Sequence, residues 1–207
     1  MISEPRLRLK LKRLRGRITV PILFDNGVVL RDSFAIARHA DLRGSTPALF
    51  PEGKHSELAA MNSRFEAAMN AGRGLVARRT ADHPTAALES IPAPTWARPA
   101  LGPLASLGLR YFVRKYDLDG RTLADDLGAM RDALLETRKA LGDRSTILDE
   151  FSYADIIAAT LLQFVQPCDS RYIRLSEANL HCWTTPELAD EFADLVMWRD
   201  ALYDEHR

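Results

Sequence analysis

Cysteine is nearly missing from this 207-residue chain, which carries only Cys168 and Cys182. The two lie close together and follow no repeated spacing, so a disulfide framework is excluded as the organising device and a reducing, cytoplasmic setting is expected. Long apolar runs are missing as well. None approaches the roughly 18 residues that a membrane-crossing helix needs, and no membrane partner is expected. The first 17 residues are basic but lack the apolar core of a secretory signal; Leu7, Leu9 and Leu11 alternate with Arg8 and Lys10 as in a strand. An excess of charge of one sign is also absent, since 28 Lys and Arg balance 28 Asp and Glu. The N-terminal cations, from Arg6 to Arg17, read as a solvated strand face, and no nucleic-acid partner is expected.

What is present is ordinary globular material. Hydrophobic residues make up 46% and charged residues 27%, and the length allows one large domain or two small ones. Residues 18–24 form a short β-rich run. Asp25-Asn26-Gly27 supplies residues that tolerate positive φ, which predicts a hairpin into Val28-Val29-Leu30. Pro21 falls inside that first run, where a missing amide donor implies an edge, a bulge, a strand end or a cis bond. Ser33 is expected to cap a helix that runs to about Arg43 and stops at Gly44 and Pro47.

From Ser56 onward the pattern is helical. Leu58, Met61, Phe65, Met69 and Leu75 make a stripe over residues 56–79, weakened near its end by Gly72 and Gly74. Residues 83–103 hold five prolines and read as an irregular loop, followed by a short amphipathic helix over 104–116. Thr122 with Asp125 opens a further helix that ends at Gly142. Ser152 with Asp155 opens a nearly all-apolar helix, with Phe151 and Ile156 at staple positions. Thr185-Pro186 starts one last long helix carrying Leu188, Phe192, Leu195, Trp198 and Leu202. Cys168, His181 and Cys182 lack paired spacing and a fourth partner, so no metal centre is expected.

Two stretches carry a resemblance. The first is Val20-Pro21 followed by the hairpin and Asp32-Ser33 at the helix start; the second is Phe151-Ser152-Tyr153-Ala154-Asp155-Ile156. In this order they resemble the glutathione transferase superfamily. The resemblance implies an α/β plus all-α fold: a partial thioredoxin-like domain over residues 1–50, then a helical bundle of the family's C-terminal type over 51–207. It implies glutathione as co-substrate, held by Val20, Pro21, Asp32 and Ser33, with a small-molecule electrophile as second substrate and a homodimer as the assembly. The expected activity is thiol conjugation, and the alternative is a non-catalytic binding or scaffold protein of the same fold. Asp32 stands where the family more often has Glu. The first strand-helix-strand unit, with its thiol-activating residue, is expected to be lacking, so no catalytic residue is assigned.

Apart from the resemblance, the chemistry of the Asp32-Ser33 position is simple. A helix start presents unpaired amide donors and partial positive charge that suit a carboxylate, while a neighbouring carboxylate suits an ammonium. A γ-glutamyl group carries both on one carbon.

Overall fold

The computed structural model describes residues 21–44, 48–90 and 122–207. Two compact units divide between Glu52 and Gly53. The peptide bond before Pro21, the Val20 position and the helix expected over 104–116 lie outside the described residues. The described structure is mostly helical, with a single two-stranded antiparallel sheet among the described residues.

The N-terminal unit begins with that sheet. Strand β1, Leu23–Asp25, pairs with β2, Val28–Leu30, in the register Leu23 with Leu30, Phe24 with Val29 and Asp25 with Val28. Asn26 and Gly27 form the two-residue turn, at φ 44° and 87°. Two successive positive φ values are what a type I′ hairpin requires, and Asn-Gly adopts them at least cost. Pro21 precedes the ladder and is exposed. Among the described residues the ladder begins at Leu23, so Pro21 stands just ahead of a strand end, one of the positions expected for it, and its missing amide removes no ladder bond there.

Helix α1, Ser33–Asp41, then runs back beside the hairpin. Its cap is Asp32, whose Oδ2 accepts from the Ala35 amide at 2.7 Å; Ser33, expected to be the cap, is the first helical residue instead. A carboxylate and a serine hydroxyl compete for the same amides, and the residue with extended backbone, here Asp32 at φ −120° and ψ 135°, takes the cap. At the far end of the helix, His39 Nε2 donates to Asp25 Oδ2 at 2.8 Å and Arg43 Nη1 donates to His39 Nδ1 at 3.0 Å. The helix is thus tied to the residue just before the turn. Asp41 accepts from the amides of Leu49 and Phe50, and the Phe50 ring meets Phe34 edge-on at 5.4 Å.

The second unit is built of helices and the loops that join them, with no strand among its described residues. Helix α2, His55–Asp82, is the axis; it buries Leu58, Met61, Phe65, Ala68, Ala71 and Leu75 along one stripe. It passes unbroken through Gly72, contrary to the weakening expected there. A side chain at Gly72 would place its Cβ 2.6 Å from the Phe164 ring, so the glycine serves close packing between segments. Helix α3, Pro84–Glu89, corrects the expectation of an irregular loop from residue 83: His83 caps it through Nδ1, and Pro84 sits at the first position, where its missing amide costs nothing.

Helix α4, Leu123–Leu141, starts at Thr122, whose hydroxyl and amide pair reciprocally with Asp125, and stops at Gly142 with φ 55°. It lies against α2 on one side and the C-terminal helices on another. Toward α2 it offers acids, Asp126 to Arg78 and Glu136 to Arg64. Toward the C-terminal helices it offers arginines, Arg131 to Glu191 and Arg138 to Asp194.

Helix α5, Tyr153–Leu161, continues into a 3-10 turn, Leu162–Phe164, and forms the centre of the unit: Ala154, Leu161, Leu162 and Val165 are fully buried. The Asp155 carboxylate, itself buried, accepts from the amides of Ile147 and Ser152 at 2.7 and 2.9 Å and from the Ser152 hydroxyl. Phe151 stacks on His206 at 3.8 Å. Helix α6, Glu177–Trp183, is followed by α7, Pro186–Glu191, and α8, Ala193–His206. The single last helix expected from Thr185 is in fact broken at Phe192, whose backbone leaves the helical range while its ring is fully buried under the Arg138 guanidinium, 4.4 Å away. Burying that aromatic outweighs the small cost of interrupting the ladder. No helix among the described residues is long and apolar enough to cross a membrane.

Candidate functional site

Of the residues singled out for glutathione, the structure places Asp32 and Ser33 side by side at the start of α1, both exposed. Pro21 is exposed ahead of β1, and Val20 lies outside the described residues. Asp32 uses Oδ2 to satisfy the Ala35 amide; among the described residues Oδ1 has no partner. The position therefore combines a capped helix start, one carboxylate oxygen open to solvent and an adjacent hydroxyl. Its chemistry is that of a shallow polar subsite, able to receive an ammonium on Asp32 and a carboxylate on the helix amides and Ser33.

A second arrangement, within the helical unit, was not legible in the sequence. The end of α2, the start of α3, and α6 with the turn after it enclose a cleft of about 670 Å³, lined by Arg79, His83, Leu180, His181, Cys182 and Pro186, with Asp82 and Glu177 also on its wall. Arg79 is held in place there. Its Nη1 donates to the Thr184 carbonyl at 2.8 Å and to Thr185 Oγ1 at 2.9 Å, and the buried Thr185 hydroxyl donates in turn to the Phe164 carbonyl at 3.0 Å. The partners stand 105 and 106 residues away in the chain, which is why no local motif announces them.

His83 accepts the Ala86 amide proton on Nδ1 at 3.3 Å. An amide cannot accept, so the neutral ring carries its proton on Nε2 and is a donor there. The His181 ring centre lies 6.2 Å from that of His83. Cys182 is buried beside Thr80; burial pushes its thiol above the ordinary range, while the Thr80 hydrogen bond and the Arg79 charge act the other way. Both cysteines are free thiols. A buried thiol held protonated is a poor nucleophile and a poor counter-charge.

No family model, no curated protein and no solved structure matches this chain.

Proposed function

We propose that the chain is a glutathione transferase-like protein, in which the hairpin and α1 correspond to the second half of a thioredoxin-like domain and Asp32 and Ser33 hold the γ-glutamyl end of glutathione. The reading rests on one observation: an exposed acid-serine pair at the start of a helix that follows directly on an antiparallel hairpin. In it, Asp32 Oδ1 receives the γ-glutamyl ammonium while Ser33 and the first amides of α1 receive its α-carboxylate. The family resemblance assigns the peptide side of glutathione to Val20 and Pro21. Binding, with no thiol activator assigned, is the activity these residues account for, and conjugation to an electrophile bound by a cytoplasmic homodimer is its extension. A non-catalytic binding or scaffold role is the second reading, favoured by the self-sufficient core of the helical unit.

Asp32→Asn is the discriminating variant, because asparagine caps a helix about as well as aspartate but carries no charge for the ammonium. Calorimetric titration with glutathione is expected to show saturable binding by the wild type and at least tenfold weaker binding by Asp32→Asn at unchanged thermal midpoint. Equal affinities, or no binding by the wild type, would sink the assignment.

A further inference from the structure

The cleft at the end of α2 holds an arginine that no carboxylate contacts directly among the described residues, although Asp82 and Glu177 stand on the same wall. Among the described residues, Arg79 is the one buried or half-buried arginine or lysine that has no acid within ion-pair range: Lys54, Arg78, Arg131, Arg138 and Arg199 each have one. Arginines withdrawn from water normally stand beside a carboxylate, because the lost hydration is otherwise uncompensated. Cys182 does not supply the missing anion, since its thiol is held in the protonated form. The carbonyl and hydroxyl that Arg79 touches fix its orientation without cancelling its charge, and both bonds use Nη1, leaving the Nε and Nη2 donors of the fork uncommitted.

We propose that this cleft is a binding site for a small organic monocarboxylate with an apolar tail, in which Arg79 is the counter-ion and the Nε2–H of His83 a second donor. Three features set the class. A planar guanidinium with two parallel donors free matches a carboxylate in geometry. Asp82 and Glu177 on the same wall repel a ligand with further negative charge, which disfavours phosphates and polyacids. Leu180, a large apolar side chain left 44% exposed, and Pro186 offer a surface for an alkyl or aryl tail. The site shares no residue with the start of α1, and its ligand needs no ammonium group. The two proposals therefore stand or fall separately.

The test is a titration of the full chain followed by NMR at the Arg79 side-chain Nε–H, with hexanoate as the probe, hexanamide as its neutral isostere and inorganic phosphate as the competing anion, all at matched ionic strength. Hexanoate is expected to give a saturable shift, hexanamide none, and phosphate a weaker one. Arg79→Gln, followed by calorimetry with the same probe, is expected to weaken hexanoate at least tenfold. Because Arg79 also ties down Thr184 and Thr185, a second variant guards against a folding defect: His83→Asn retains a capping side chain for α3 and is expected to weaken hexanoate severalfold at unchanged thermal midpoint. Absence of a saturable shift in the wild type, hexanamide binding as tightly as hexanoate, phosphate binding more tightly, or unchanged affinity in both variants would each overturn the proposal.

Discussion

The two units of this chain are held together by different means. In the N-terminal unit none of the described residues is fully buried, and Val28 and Val29 on β2 remain 41% and 39% exposed. Its joints are polar: Asp32 on the Ala35 amide, Asp25 on His39, Asp41 on the amides of Leu49 and Phe50. In the helical unit Leu58, Phe65, Met130, Leu134, Leu161, Leu188 and Phe192 are at or below about 1% exposure, and the buried Asp155 carboxylate is fully engaged by amides and a hydroxyl, while buried Arg199 bonds through Nε and Nη1 and leaves Nη2 without a hydrogen-bond partner. Apolar burial scales with area removed from water, whereas a hydrogen bond exchanged against water contributes only about 1 kcal/mol net. The contrast teaches that the N-terminal unit sits near the low end of local stability, where binding segments tend to be found, and that the helical unit carries the global stability.

Truncations of matched chemistry test this most severely. Phe65→Ala should cost about 3–5 kcal/mol, the usual range for emptying a core aromatic position. Phe34→Ala, which removes a half-buried ring, should cost less than about 2 kcal/mol. Urea unfolding followed by circular dichroism would measure both, and equal losses would break the comparison. Next in size is Gly72→Ala, expected to destabilise by about 1–3 kcal/mol through overpacking against Phe164. Combining it with Phe164→Leu should recover part of that loss, and a strictly additive double-mutant cycle would remove the steric explanation.

In the N-terminal unit, Asp41→Ala removes the acceptor of two amides and should cost about 1 kcal/mol. Hydrogen exchange at Leu49 and Phe50 is expected to quicken while the amides of α5 stay protected; quickening at both places together would show that the units unfold as one. The smallest effect concerns pH. The Arg138 hydrogen bond, chiefly, holds the Asp194 carboxyl below the ordinary range. A depressed folded-state value means stability that is present above the unfolded value, about 3.9, and lost as pH falls through the folded one. With Asp194 half exposed, the contribution is about 0.2–1 kcal/mol. Asp194→Asn should remove that part of the acid dependence of the unfolding midpoint.

Local chemistry made the hairpin, the Thr122 and Ser152 helix starts and the Gly142 stop readable, because Asn-Gly, the two capping pairs and a terminal glycine each act within a few residues. The failures have a common cause in distance. Gly72 looks like a weak point until Phe164 is seen to occupy the space of its missing side chain. Phe192 looks like one more core residue of a long helix until Arg138 is found over its ring. His83 is an uncommon cap, so the helix it starts was hidden among prolines. Asp32 rather than Ser33 took the capping role because backbone conformation, which the sequence does not display, decides between adjacent candidates. Arg79 stood in no motif at all, since the threonines that aim it lie at the other end of the unit.

The lacing of α4 sets a rule for how this sequence can drift. Its acids answer arginines of α2 and its arginines answer acids of α7 and α8, so the helix presents opposite signs to its two neighbours. A slide of one turn along either neighbour would bring these pairs out of step. Charge reversals at Asp126 or Glu136 should therefore be found together with reversals in α2 alone, and those at Arg131 or Arg138 with reversals in α7 and α8 alone. In related chains these would form two separate sets of covarying positions, meeting on one helix and exchanging nothing between them.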